Sequence, residues 1–490
     1  MFIYKNTKSS GITLIALVVT IIVLLILAGI SISMLSGDNS ILQKVTDAKT
    51  NTDNSQIKER IQLAYHSALI KDITGENGEL TMPTLQTELN NEFEGKTVTI
   101  TPSADNKEWT IKVDNVEVTV MAGKDNIQVG VKDKNGVEIV TTKETTPFLP
   151  NPSNNEITNN DLITGLTIKD ENQNEWVWIV VPKSEITVYK TAGVGQTLPE
   201  VPDNSENSIY TKIETDLREY CATDKDGETF MTNSSSYIDE YEEGRGSNIT
   251  SNNIYIIYKQ KMLKSVYENG GFYIGKYEAG TETPRGALTD SLTTATIKQN
   301  VYPYNYVTKV QAEDLAEEFS TGERTTTLLF GIQWNLVLKH LNELGVPKSD
   351  LTGSSVSWGN YYNRKFVIDR GEYSVTSPWN VFVPHTVETT NKVKIISGVS
   401  QKSSTSDTNK ILLTTGASDE NSKMNIYDLA GNLWEWTLEK NRNGYSCQRG
   451  GGFRNQYNRA PYYRGNDMVY DRHGTNEDTR IQSCTILNVF

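Results

Sequence analysis

The chain has 490 residues, 37% of them hydrophobic and 22% charged, with a formal net charge of −14. That length calls for more than one domain, and the acidity, with no basic stripe to offset it, excludes nucleic acid as a partner. Cys221, Cys447 and Cys484 are the only cysteines, which excludes a disulfide-dense scaffold. A Cys447–Cys484 bridge that leaves Cys221 free stays open, whereas a thiolate metal site would need more ligands at closer spacing.

Ile12 to Ser36 form a long uncharged run, ITLIALVVTIIVLLILAGISISMLS, behind Lys5 and Lys8 and ahead of Asp38. As a helix it would rise about 37 Å, enough to cross a ~30 Å hydrocarbon core with some tilt. The lysines would stay cytoplasmic and the rest of the chain would face outward. The run is too long for the apolar part of a secretory signal peptide and lacks a small-residue cleavage site. A plain signal anchor remains an alternative on these grounds.

Beyond the run, Gly37-Asp38-Asn39-Ser40 punctuates the chain with cap-forming residues. Ile57, Ile61, Ala64, Ala68 and Leu69 then recur at helical spacing, which predicts a half-buried helix. EWTIKVDNVEVTVMAG alternates apolar and polar positions around Asp114-Asn115, as a tight hairpin does. Asn135-Gly136 marks a second turn, between QVGVKDK and VEIV. The expected unit is an antiparallel sheet with one apolar face, covered by a helix over 41–72.

TTKETTPFLPNPSNNEITNND reads as a linker. From Leu162 the character changes. NEWVWIVVP and GGFYIGKYEAG are apolar strand candidates. A short helix is expected around Ser208–Tyr220, and KVQAEDLAEEFS at 309–320 has helical spacing. LLFGIQWNLVLKHLNEL at 328–344 places Trp334, Leu338 and Leu341 on one helical face. The remainder reads as loop, so the second part is a loop-rich α+β domain with short strands framing long loops.

NIYDLAGNLWEWT at 425–437 and SCQRGGGFRN at 446–455 form the second informative region. Trp434 and Trp436 alternate along a short strand and can bury their rings on one core. Asp428 and Asn432 suit a turn, and Gly450 to Gly452 permit close backbone approach. Residues 455–478, NQYNRAPYYRGNDMVYDRHGTNED, mix Tyr with Asn, Asp, Arg and His. That composition resembles a paratope, broad rings for contact area and polar groups for hydrogen bonds. Tyr457, Tyr462, Tyr463, Asn466, Asp467, Tyr470, Asp471 and His473 are the candidate ligand contacts.

Two resemblances organise these features. KSSGITLIALVVTIIVLLILAGI resembles the type IV prepilin cleavage and methylation motif, which implies cutting between Gly11 and Ile12 by a prepilin peptidase and other pilins as partners. The family usually has Glu at the fifth mature position, where this chain has Ala16; a missing Glu is similar to minor pilins at a filament tip. Gly431, Asn432, Trp434, Glu435 and Trp436, followed by Arg449, Gly450 and Gly451, resemble the formylglycine-generating enzyme (sulfatase-modifying factor) family, a variant of the C-type lectin fold. The strand GGFYIGKYEAG is similar to that family's early strand.

The resemblances imply an α+β chain with a prepilin leader at 1–11, a transmembrane helix at 12–36, and a pilin-like helix and sheet at 37–145. A linker at 146–161 and a lectin-like domain at 162–490 would follow. They also imply that Asn432 and Glu435 could supply oxygen ligands to calcium. The family enzyme oxidises a cysteine with a close pair of its own thiols. This chain has APYYRGND where such a cysteine would stand, and His66, His340, His385 and His473 are scattered. The expectation is therefore a non-enzymatic, membrane-anchored, pilus-associated surface protein that presents a domain for a protein or glycan ligand. A related branch of lectin-fold proteins carries hypervariable contacts at this place. The alternatives are a cysteine-oxidising enzyme and a pseudopilin of a secretion or DNA-uptake machine.

Overall fold

The computed structural model describes residues 57, 60, 61, 64, 65, 68, 81–103, 108–114, 116–121, 132–231, 237–239, 251–321, 324–387, 392–402, 409–441, 446–467, 483–484 and 487–489. The chain divides into two compact units, Met1–Asn126 and Ile127–Phe490.

The first unit follows the predicted hairpin. Strands β1 (Val98–Pro102), β2 (Glu108–Val113) and β3 (Val116–Met121) form an antiparallel sheet in that order. Val113 faces Val116 across the turn, where Asp114 takes a φ of 53°. Trp109, Ile111 and Val113 on β2 are buried, the period-2 signature of one apolar face. The helical spacing at 57–68 holds as well, burying Ile61, Ala64 and Ala68.

The expected N-terminal transmembrane helix, a separate element from the helix expected over 41–72 to cover this sheet, is overturned by the described structure. Among the described residues no helix is long and apolar enough to cross a membrane. The helix that contacts β1 is an unforeseen one, α1 (Met82–Glu92), started by a Thr81 cap with Pro83 in its first turn and burying Leu85 and Leu89. The run at 12–36 and the processing pair Gly11 and Ile12 lie outside the described residues.

The boundary also moves. The turn at Asn135-Gly136 belongs to the second unit, where Lys132 bridges Glu138. The segment expected as a linker at 146–161 packs into that unit. It contains edge strand β4 (Glu156–Asn159), and Phe148 sets its ring edge-on to Trp178 and Tyr273 at 5.8 and 5.6 Å. Its Pro/Asn-rich composition shapes turns, not a free connection.

In the second unit β4 continues through β5 (Thr167–Lys169) and β6 (Glu175–Val180). Strand β7 (Tyr237–Asp239) belongs to another sheet, β8 (Gly271–Gly275) pairs with β6, and β9 (Thr326–Leu328) lies further out. The second sheet is built on β10 (Trp434–Asn441), flanked by β11 (Ser446–Arg449) and then β12 (Gly465–Asp467) on one side and by β13 (Ser483–Cys484) on the other. Strand β7 also pairs with β10. The last strand, β14 (Leu487–Val489), inserts between β9 and β8, so the first sheet runs β9-β14-β8-β6-β5-β4.

The predicted helices form as α2 (Ile209–Tyr220), α4 (Lys309–Glu317) and α5 (Gly331–Glu343). Thr308 and Gln311 close a capping box at the start of α4. The 19-residue α3 (Ser251–Asn269) was not foreseen. Its Ile254-Tyr255-Ile256-Ile257-Tyr258 run is β-branched and aromatic, which argues for a strand locally, yet Met262, Leu263 and Val266 bury against the core.

The first sheet's centre is aromatic. Trp176 and Trp178 are 1% exposed, and the Trp178 indole donates to Thr145 Oγ1 at 2.8 Å. Trp178→Ala should destabilise the second unit by about 3–5 kcal/mol through the cavity it leaves and the loss of the contacts that hold 145–148. Urea unfolding checks this; a midpoint shift near zero would place the ring outside the core.

Candidate functional site

The motif at 425–437 folds around Asn432, which takes a φ of 53° and is fully buried. Its side-chain oxygen accepts from Asn360 Nδ2 at 2.9 Å and from the Leu413 N–H at 3.1 Å. Its Nδ2 donates to Glu278 Oε2 at 2.7 Å, and the Leu433 N–H donates to Glu278 Oε1 at 3.0 Å. One amide thus joins four separate segments.

This geometry corrects the calcium expectation. The Asn432 oxygen already accepts two N–H groups, its full capacity. Among the described residues no group of three His, Cys, Asp or Glu side chains could hold a metal ion. Glu435 is 1% exposed and sits in register with Arg449 inside the sheet. Asn432 reads as a structural group whose oxygen is already occupied by N–H donors.

Burial pushes the Glu278 carboxyl well above its ordinary range, helped by the charges of Glu435 and Asp428. Burial likewise raises Asp428 to about 7, against the opposing Gly416 N–H that donates to it.

Strand β10 carries the second polar centre. Glu439 is 2% exposed. Arg449 holds it with two prongs, Nε to Oε2 at 2.6 Å and Nη2 to Oε1 at 2.8 Å. Arg464 Nε adds a bond to Oε1 at 3.0 Å. The carboxylate lies against the first residue of α5, since a Cβ on Gly331 would come 2.4 Å from its carboxyl carbon. The helix N-terminus therefore adds favourable positive potential. Burial pushes the Glu439 carboxyl up, but the charges and donors of Arg449 and Arg464 outweigh it and bring it down to about 2.

These charges fix the loop that follows the glycines. Arg449 Nη1 donates to the Tyr462 carbonyl at 3.2 Å, and the Trp334 indole donates to the Pro461 carbonyl at 3.0 Å. The Tyr361 hydroxyl lies 2.9 Å from the carbonyls of both Gly450 and Arg459 and shares its one proton between them. The Tyr457 N–H donates to Asn363 Oδ1 at 3.0 Å. The loop backbone is held at both ends and in the middle.

The candidate contacts divide on this loop. Tyr457 and Tyr462 are half-buried and pack on the core. The Tyr462 ring lies beneath Arg464 and Arg449, at 5.0 and 5.6 Å from the guanidinium carbons. Tyr463 is 36% exposed. Asn466 and Asp467 sit on β12, paired with Cys447 and Ser446; nothing is described of their side chains. Tyr470, Asp471 and His473 lie outside the described residues.

Trp434 also departs from expectation. Trp436 is buried and donates its indole N–H to the Val307 carbonyl, but Trp434 is half-exposed, with its ring centroid 5.9 Å from that of Tyr463. Glu278, Glu439, Arg459 and Arg464 were not singled out from the sequence. The visible signal was the spacing of Arg449, Arg454, Arg459 and Arg464, five residues apart.

The two thiols described, Cys221 and Cys447, are free, buried and shielded from solvent. Burial raises the Cys221 thiol to about 12 and pushes that of Cys447 up as well. The candidate Cys447–Cys484 bridge does not fit, because β11 and β13 lie on opposite sides of β10. Two strand spacings, roughly 9–10 Å, exceed the Cα separation a disulfide spans.

No family model, curated protein or solved structure matches the chain.

The buried charges set both stability and its pH dependence. Glu439→Gln should destabilise the second unit by about 3–5 kcal/mol, because Arg449 is left buried without its counter-charge; thermal unfolding measures it, and a shift within error would make the triad dispensable. The pH profile should have two flanks. The lowered Glu439 contributes stability above its ordinary 4.5 that is lost as pH falls from there toward about 2. The raised Asp428 contributes stability below its ordinary 3.8 that is lost as pH rises through about 7. Glu278 is raised as well, so melting temperature against pH for Asp428→Asn should show a smaller loss between pH 3.8 and about 7, with the remainder due to Glu278; an unchanged loss would remove Asp428 as a source.

Proposed function

We propose that residues 127–490 form the ligand-binding head of a surface-displayed, minor-pilin-like protein, and that the loop at 450–467 presents the contacts. The observation that carries this reading is Tyr463, exposed on a loop whose backbone is pinned by Tyr361, Trp334 and Arg449. A preorganised loop loses little conformational entropy on binding, which favours recognition by its outward side chains. Arg459 stacks on Tyr463 at 3.9 Å and Trp434 lies beside it, a ring-and-cation surface suited to contact. The described thiols, buried and pushed toward the neutral form, favour binding over cysteine-oxidising chemistry. Display rests on the resemblance of KSSGITLIALVVTIIVLLILAGI to the prepilin motif.

The test applies the labelled full chain to a glycan array and to intact cells. Tyr463→Ala should lower retention about tenfold or more with an unchanged melting temperature, as loss of one central aromatic contact does. Equal retention would sink the loop assignment. In parallel, a cysteine peptide incubated with the chain, copper and oxygen should stay unmodified; an aldehyde product would make the protein an enzyme. Antibody against the head should stain intact cells, and staining only after permeabilisation would overturn display.

A further inference from the structure

From Cys447 to Asn466 the chain contains Arg449, Arg454, Arg459 and Arg464 and neither Asp nor Glu, in a protein whose net charge is −14. Arg449 and Arg464 close on Glu439 inside the fold. Arg454, whose charge acts on the Tyr306 hydroxyl, and Arg459 have no carboxylate partner among the described residues. Among the described residues, Arg454 and Arg459 thus present positive charge that no carboxylate compensates.

Arg459 is placed for a particular use of that charge. Its guanidinium carbon sits 3.9 Å from the Tyr463 ring centroid. Its backbone is held by its own N–H to the Gln456 carbonyl and by Tyr361 OH on its carbonyl. Stacking on a ring face orients a guanidinium and leaves its N–H fork free for a planar oxyanion. Among the described residues no acceptor takes those N–H groups.

Trp434 completes the surface. Gly452 and Gly465 both approach its indole, and a Cβ on either would lie 3.4 or 3.2 Å from the ring. Neither glycine lays a side chain on the half-exposed ring. The neighbouring exposed side chains are the amides of Gln456 and Asn458. Trp, Tyr and Arg together, rimmed by polar groups, are the composition that dominates binding energy between proteins.

We propose that Arg459, stacked on Tyr463 beside Trp434, anchors a second protein that presents a carboxylate on an acidic surface. This deepens the ligand-binding reading of the same loop and rests on it. Charge complementarity selects the occupant. The guanidinium fork takes an Asp or Glu side chain two-pronged, the indole takes adjoining apolar surface, and Arg454 adds attraction that salt weakens.

The full chain is titrated on immobilised poly-L-glutamate, with hyaluronan as a saccharide bearing the same carboxylate, and its self-association is followed by sedimentation. Saturable binding to poly-L-glutamate is expected. Arg459→Gln should weaken it about tenfold or more, and Arg459→Lys nearly as much, because lysine keeps the charge but loses the fork and the stack. Neither variant should change the melting temperature, since no fold contact among the described residues uses the guanidinium edge. Binding by the Arg459→Lys variant equal to that of the original chain would overturn the stacked fork. Preferential retention on hyaluronan would make the ligand a saccharide and overturn the protein assignment. Self-association abolished by Arg459→Gln would give the face to a second copy of the chain, which also overturns a foreign partner. No response to poly-L-glutamate, with Tyr463-dependent retention on cells intact, would sink this inference and leave the ligand-binding reading standing.

Discussion

Glu439 is the group on which the rest of the second unit's functional end depends. An isolated buried carboxylate is costly by several kcal/mol, and this one is held by Arg449, Arg464 and the first residue of α5. Those partners come from β11, from the loop before β12 and from a helix a hundred residues earlier. The ion network therefore fixes a sheet, a helix and a loop to one point. Replacing such a network by apolar side chains is often neutral for stability, so its consequence lies in geometry. The carboxylate dictates where each guanidinium must be, and Arg449 then dictates where the Tyr462 carbonyl must be.

Asn432 performs the same service without charge. Its amide matches donors to acceptors across Asn360, Leu413 and Glu278, and the chain enters it through Gly431 at a φ of 78°. A Cβ on Gly431 would fall 2.5 Å from the Asn360 carbonyl oxygen. A left-handed turn and a close approach coincide there, and only glycine meets both demands without strain. The two centres flank one strand, Asn432 just before β10 and Glu439 near its end, so the Trp434–Trp436 segment is positioned from both sides.

What was legible in the sequence was the local part. The 3.6 period at 328–344, the alternation around Asp114-Asn115 and the apolar run of β6 each carry their own structure, because neighbouring residues decide them. The unforeseen parts were decided at a distance. Helix α3 has strand-forming residues at its start and is rescued by packing Met262 and Val266 on the core. The segment 146–161 has linker composition, yet Phe148 finds Trp178 and Tyr273. At the site, Trp434 and Trp436 look equivalent by alternation, but among the described residues only the second has a core carbonyl to receive its N–H. Glu439 was invisible because a lone glutamate in TLEKN reads as surface until its arginines are in place.

The loop's restraints fall mostly on backbone atoms. The carbonyls of Gly450, Arg459, Pro461 and Tyr462 and the Tyr457 N–H take the bonds from Tyr361, Trp334, Arg449 and Asn363. Side chains at Gln456, Asn458, Arg459 and Tyr463 are not needed for those bonds. Tyr462 is the exception, since its ring fills the space beneath Arg449 and Arg464. A surface built this way separates shape from specificity. Substitutions at the outward positions should cost little in folding, because main-chain acceptors are the same whichever side chain is attached, and on the proposed reading they would change what the loop recognises. Substitutions at Glu439, Arg449 or Asn432 change where the loop is and alter every contact at once.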